Sequence, residues 1–353
     1  MTNNINTKSR SNEFYKKFNV NRYIVTDNNI SWDIEDTEYS KNVTSFTNQF
    51  VHDHSINFCN THYTKDAWAD PEINMINVIC PESWSKFNQH NRTSYTGQYK
   101  IDYTFPFKSK VYGAPLYPGG RTGICGRGAL GKWGPNTAAD PIITRINKTT
   151  KQIEMIMITR SDVEQLAIPG GMVDPYEKAK TTALREIFEE SFNKDITNLN
   201  EGDNKLQNLA VLFNNNAKLI YKGCVDDPRN TDNAWIETLV YHYHIENDEL
   251  ADIIESKLHA GSDAKAGSAK FVCIEPIPEM YSNHAYFVSL ALNNLKTNDN
   301  ESSDNESSDN KNEYLISDTK LSIIIIVYII VIIIFMIMFN YNTFHNSLNM
   351  LLI

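Results

Sequence analysis

Apolar residues are spread unevenly along this chain, and their spacing changes character several times. The first twenty or so positions are polar and predict a flexible tail. From Tyr23 to Tyr103, aromatic and β-branched residues are frequent but follow no clean period. Turn signals such as Asp70-Pro71 and Cys80-Pro81 interrupt them, which predicts an irregular α+β segment with short strands. Clearer runs come later. Asp140–Ile146 and Ile153–Thr159 are Ile-rich and bounded by turn residues, and Leu219–Val225, Ile236–His244 and Lys270–Ile274 add three more predicted strands. A helix is predicted from about Lys178 to Ser191, with a polar loop to about Leu206. Asp248–Ala260 is mixed and fits a loop with a short helix. Phe287, Leu290 and Ala291, at i, i+3 and i+4, predict an amphipathic helix over roughly His284 to Leu295.

Beyond Leu295 the pattern breaks. Asn300-Glu-Ser-Ser-Asp304 repeats as Asn305-Glu-Ser-Ser-Asp309, with no apolar residue, as expected of an acidic flexible linker. Then Leu321–Phe339 runs for nineteen residues without a charge. As a helix it would be about 28 Å long, close to the hydrocarbon thickness of a bilayer. Lys311 and Lys320 precede it and no Lys or Arg follows, which predicts a tail anchor with the large N-terminal part facing the cytosol. The expected organisation is a tail (1–21), an N-terminal cap domain (22–135), a catalytic domain (136–295), a linker (296–320), a transmembrane helix (321–339) and a short C-terminal tail (340–353).

Net charge is −10, which argues against a surface that holds nucleic acid by phosphate neutralisation. The five cysteines are scattered, with no C-x-x-C pair, so neither a disulfide framework nor a zinc site is implied. Between residues 119 and 134 glycine is dense, and Arg121 and Arg127 add charge suited to phosphate. A plain interdomain connector fits that loop equally. His242 and His244 alternate on a predicted strand, and position accounts for them without a metal.

The stretch with chemical content is Ile168–Glu190. A Gly-Gly turn leads into a predicted helix that carries Arg185, Glu186, Glu189 and Glu190. Residues four apart share a helix face, so Glu186 and Glu190 point the same way and repel, unless a cation lies between them. All-oxygen carboxylate sites suit Mg2+, which also takes substrate phosphates, with Mn2+ as a substitute. Gly171, Glu177, Arg185, Glu186, Ile187, Glu189 and Glu190 fill the pattern G-x5-E-x7-R-E-U-x-E-E, where U is bulky and apolar. That pattern resembles the Nudix box. The box usually continues x-G-U, whereas Phe192 and Asn193 follow Ser191 here; this alters how the helix ends and removes no carboxylate.

Other stretches narrow the resemblance. Arg121–Gly128, Trp133–Pro141 and Gly223–Trp235, with Ala67–Glu72 and Ser85–Asn88, are similar to the mitochondrial-type ADP-ribose pyrophosphatase branch of the Nudix family. The homologous domain at the C-terminus of an ADP-ribose-gated channel shares these stretches. The resemblance covers about residues 22 to 293. It implies an α+β fold, an αβα sandwich with a mixed β-sheet, and Mg2+-dependent hydrolysis of ADP-ribose to AMP and ribose 5-phosphate. It also implies that Glu186, Glu189 and Glu190 hold metal, that Arg185 orients them, and that Glu177 buttresses Arg185. For substrate it points to Asp227 and Arg229, with Asp226 beside them as a further acceptor for ribose hydroxyls, to Tyr281 and Asn283, and to Arg121. Trp133, Trp235 and Phe213 fit the core better than a base-stacking role. Rival functions are an ADP-ribose sensor without catalysis, a Nudix hydrolase of another nucleoside diphosphate derivative, and a scaffold that recruits through its acidic linker. The intact box favours the enzyme.

Overall fold

The computed structural model describes residues 6–60, 69–70, 94–96, 114–174, 177–199, 204–262 and 264–305; of 56–60 and 297–305 it describes the backbone alone. The chain divides into two units, Met1–Asn294 and Leu295–Ile353, the second described only to Asn305. The expected membrane segment Leu321–Phe339, linker residues 306–320 and the tail 340–353 lie outside the described residues, as do Ser85–Asn88 and most of Ala67–Glu72. Among the described residues no helix is long and apolar enough to cross a membrane.

Helices α1 (Glu13–Lys16) and α2 (Thr37–Asn42), strand β1 (Thr44–Thr47) and helix α3 (Gln49–Asn60) come first. β1 pairs in parallel with β2 (Ile124–Gly128), inside the glycine-rich stretch. A seven-stranded mixed sheet follows, built from β3 (Gly134–Ile146), β4 (Ile153–Thr159), β5 (Leu166–Ala167), β6 (Gly171–Met172), β7 (Lys218–Cys224), β8 (Ala234–Ile245) and β9 (Lys270–Cys273). Its order is β5-β4-β3-β8-β7, with β6 on β3 and β9 on β4; β3 and β8 run parallel and the other pairs antiparallel. The helices are α4 (Ala179–Glu186), α5 (Asn204–Asn216), α6 (Asp248–Lys257) and α7 (His284–Asn305).

Side chains alternate across a strand, so β3 serves two cores at once. Ala139 and Ile143 pack on one face with Leu184 and Phe188 from the α4 region, Leu209 and Phe213 of α5, and Leu250 and Ile254 of α6. Ala138 and Ile142 pack on the other face with Phe287, Val288 and Ala291 of α7. The result is the expected αβα sandwich. Trp133, Trp235 and Phe213 are all buried.

Helix α7 runs on to Asn305, through residues 296–305 of the expected flexible linker, and three further departures from the sequence pattern have physical causes. β3 starts at Gly134, well before the expected Asp140, because parallel pairing with β8 from Gly134↔Ala234 buries polar letters that read as loop. Asn204–Asn216 is a helix where a polar loop is expected to end; Leu206, Leu209 and Phe213 form its one buried stripe. The polar N-terminal stretch is an ordered arm from Asn6 onward, with Ser9 and Tyr15 fully buried. Polar side chains build it. Asp226 accepts from the backbone N–H of Lys8 (3.0 Å) and Ser9 (2.7 Å), and Tyr15 Oη donates to the Arg229 carbonyl at 2.6 Å. Arg22 donates to the carbonyls of Thr122, Pro228 and Asn230. Such long-range polar bonds leave no period in a sequence.

Candidate active site

The Gly-Gly turn sits where β6 pairs with β3, Gly171 opposite Ala139. A Cβ added to Gly170 would lie 2.2 Å from Asp140 Oδ1, and one added to Gly171 would lie 2.3 Å from Glu186 Oε1. Only glycine lets the two carboxylates flank the turn this closely. The turn is held from two sides: Gly170 N–H donates to Glu190 Oε2 (2.9 Å), and Ile168 N–H donates to His284 Nδ1 (3.0 Å). Burial drives the His284 imidazole down to about 3, so it stays neutral and keeps that ring nitrogen free to accept.

Helix α4 does not run on as a plain α-helix. Ile187–Ser191 form a π-turn, which changes the angular spacing of Glu186, Glu189 and Glu190 from that of a regular helix. The end without the usual glycine is closed in another way. Asn193 takes a left-handed φ of 50°, and Lys194 N–H reaches the Phe188 carbonyl at 2.9 Å. The Glu190 and Ser191 carbonyls accept from Gly261 (3.0 Å) and His259 (2.7 Å).

Arg185 is the hub of the acids. Its Nε and Nη2 donate to both oxygens of Glu177 (3.2 and 3.1 Å), and its Nη1 donates to Glu186 Oε1 (2.8 Å) and Glu189 Oε2 (2.9 Å). Thr182 Oγ1 donates to Glu177 at 2.7 Å and steadies it. Burial raises the Glu186 carboxyl to about 7; Arg185 opposes that, while Glu189 and Asp140 add to it. Asp140 is pushed up to about 6, again mainly by burial, against a bond from Thr238. Several acids thus share one arginine in a partly dry site, the arrangement that a hard divalent cation relieves. Among the described residues no three acidic, histidine or cysteine side chains already converge closely enough to enclose an ion. The donor chemistry fits Mg2+ or Mn2+: carboxylate oxygens alone, with Glu189 exposed and Glu190 half-buried.

Asp140 also feels the charges of Arg229, Asp227 and Arg160, so a second charged cluster lies within electrostatic range of it. Asp227 takes a bidentate bond from Arg229 (2.8 and 2.9 Å), and Tyr281 Oη donates to it at 3.2 Å. Burial opposes both charges of that pair. Their mutual attraction wins, holding the Asp227 carboxyl below its usual value and the Arg229 guanidinium above its own. Arg160, just past β4, stacks on the Tyr281 ring at 4.6 Å and pairs with Asp162 at 2.9 Å. Asn283 Oδ1 accepts from Ser282 Oγ at 3.3 Å at the start of α7.

The chain is similar to known proteins along most of its length. The family model described as "NUDT9-like, N-terminal domain" matches residues 25–134. A putative nudix hydrolase 6 of Caenorhabditis elegans is 38% identical over 277 residues, spanning 78% of this chain and 92% of that protein. The chain belongs to the Nudix hydrolase family. An ADP-ribose pyrophosphatase, mitochondrial, of Rattus norvegicus is 42% identical over 235 residues, 63% of each chain. A transient receptor potential cation channel subfamily M member-like 2 of Nematostella vectensis is 34% identical over 268 residues, 73% of this chain and 16% of that one.

Two expected substrate contacts of this Nudix hydrolase are committed elsewhere. Arg121 is buried and donates to the carbonyls of Asn29 (2.8 Å), Ser31 (2.5 Å) and Ile34 (2.6 Å), so it holds the N-terminal segment in place of a phosphate. Asp226 is half-buried, and both of its oxygens accept from the arm at Lys8 and Ser9. Asp140, Arg160 and His284 were missed as site residues. Asp140 lies within the Trp133–Pro141 stretch and His284 directly follows Asn283, so both had a signal; Arg160 stands in no motif.

Proposed function

We propose that this Nudix hydrolase cleaves the pyrophosphate of ADP-ribose to AMP and ribose 5-phosphate with Mg2+, for which Mn2+ can substitute. The observation that carries the proposal is the Gly170-Gly171 turn flanked by Asp140 and Glu186, with Arg229 and Arg160 within electrostatic reach of Asp140. Acids for a cation and arginines for an anion therefore lie within electrostatic range of one another, as a doubly charged pyrophosphate requires. The name of the rat relative supports the substrate. Glu186, Glu189 and Glu190 would hold the metal, which when bound supplies charge neutralisation and a more acidic water. Arg185 keeps Glu186 and Glu189 oriented while Glu177 fixes Arg185. Gly170 N–H holds Glu190. Asp227 fixes the plane of the Arg229 guanidinium, so an anion meets a preorganised donor. Tyr281, which bonds Asp227, and Asn283, two residues on, would complete the substrate side.

The test follows AMP released from ADP-ribose by the full chain, with Mg2+ and then with EDTA. AMP that appears with Mg2+ and stops with EDTA supports the proposal. ADP-ribose that raises Tm without any AMP would make the protein a sensor, and turnover of another nucleoside diphosphate derivative alone would move the substrate.

Leu321–Phe339 is proposed as a membrane-spanning anchor that leaves the catalytic part in the cytosol, on the strength of its length, its lack of charge and the lysines before it. Resistance of the full chain to alkaline extraction from membranes, with the catalytic part open to added protease, is the expected result. Release into the alkaline supernatant would end the idea.

A further inference from the structure

Between the N-terminal arm and the turn after β4 lies a cavity of about 370 Å3, bordered by Phe14, Lys17, Val163, Gln165, Pro228 and Tyr281. We propose that this cavity is the subsite for the nucleobase of the substrate, with Phe14 as its stacking partner, which rests on the nucleotide substrate proposed above. Three observations carry it. The cavity adjoins the anion cluster: Tyr281 donates to Asp227 and stacks with Arg160, while Pro228 is the residue between Asp227 and Arg229. A phosphate at those arginines therefore puts its substituent at the cavity mouth. The volume is that of a small-ligand site. The walls suit a flat aromatic group: Phe14 is half-buried, Val163 is 40% exposed on its turn, and Pro228 and the Tyr281 ring add apolar surface. Gln165 and Ser282 offer hydrogen bonds to a base edge. A bare ribose has no apolar face and would leave Phe14, Val163 and Pro228 without a match.

The arm is positioned for this task by the substrate turn itself. Asp226 caps Lys8 and Ser9, Tyr15 bonds the Arg229 carbonyl, and Arg22 bonds the carbonyls of Pro228 and Asn230. Phe14 is set by Tyr15, whose ring meets it edge-on at 5.1 Å, and by Lys17, whose ammonium lies 4.0 Å from its centroid. The wall that recognises the base and the turn that recognises the phosphate thus form one unit.

Product inhibition of ADP-ribose turnover by the full chain separates the two halves of the substrate. In Phe14→Ala, inhibition by AMP is expected to weaken about 5- to 150-fold, the worth of one stacked base. Inhibition by ribose 5-phosphate should stay within about twofold of wild type, and Phe14→Trp should restore AMP. Equal weakening for both products, weakening for ribose 5-phosphate alone, or no change would overturn the subsite. Should Phe14→Ala fail to fold, Val163→Asp on the exposed turn is judged by the same ratio. If the wild type makes no AMP from ADP-ribose, the proposed substrate fails by itself. Calorimetric binding of AMP to wild type and Phe14→Ala then decides the subsite, upheld by a 5-fold or greater loss and overturned by equal affinity.

Discussion

Residues 119–134 and 170–190 both combine glycines with charged side chains, and in sequence either could pass for a phosphate-handling loop. In the first, Arg121 and Arg127 lie inside the protein and donate to fixed partners, Arg121 to three backbone carbonyls and Arg127 to Ser55 Oγ and the Asp70 and Gly131 carbonyls. In the second, Glu177, Glu186 and Glu189 all lean on the single Arg185, and Asp140 adds a further buried acid. Backbone carbonyls use up a guanidinium for structure. Acids that share one cation keep coordinating capacity for another. The partner, more than the glycine content, separates a scaffold from a site.

The largest effect that would sharpen this contrast is on the acids. Glu186→Gln combined with Glu190→Gln should lower AMP formation from ADP-ribose by roughly a thousandfold or more with Tm retained. Activity within tenfold of wild type would remove both residues from the chemistry. Next comes the turn between the acids. Gly171→Ala places a methyl 2.3 Å from Glu186 Oε1, and a fall in kcat of roughly 10- to 100-fold is expected by steady-state assay. Unchanged kcat would mean that the close approach is idle.

The first region should respond in the opposite way. Arg121→Ala leaves three carbonyls without their donor and should cost about 3 kcal/mol in urea unfolding, with kcat/KM of the folded protein within about threefold of wild type. A large rise in KM at normal stability would restore Arg121 to the substrate site. Arg229→Lys keeps the charge but loses the bidentate fit to Asp227, so KM for ADP-ribose should rise about tenfold.

The last effect is electrostatic and grows with pH. Folded Asp140 keeps its proton up to about pH 6, whereas unfolded Asp releases it near 3.8. Between those values the folded state binds more protons, so this residue's contribution to stability falls as pH rises. In EDTA, Asp140→Asn should therefore gain on wild type from pH 4 to pH 7, by up to about 3 kcal/mol at the upper end. A difference in Tm that does not move with pH would show that the carboxyl is not held neutral.

Much of this protein could be read from its letters because the governing interactions are local. Ile153–Thr159 is a strand with the bounds its pattern predicts, since apolar period and turn residues act within a few positions. The spacing of Gly171, Glu177, Arg185, Glu186, Glu189 and Glu190 put acids on one helix for the same reason. The π-turn at Ile187–Ser191 was not legible, because its carbonyls are satisfied by Gly261 and His259, far along the chain. Nor was the order of the N-terminal arm, which depends on Asp226 and on the carbonyls of residues 228–230.

The sequence by itself determined strands such as Ile153–Thr159, the acid spacing and the glycine turn, each set by chemistry between neighbours. The tertiary structure alone decided that Asp140 and Glu186 face one another across that turn, that His284 holds it, and that Arg121 is spent on the scaffold. Those outcomes depend on which distant donor reaches which acceptor. A buried hydrogen bond of that kind is energetically decisive and leaves no periodic trace along the chain.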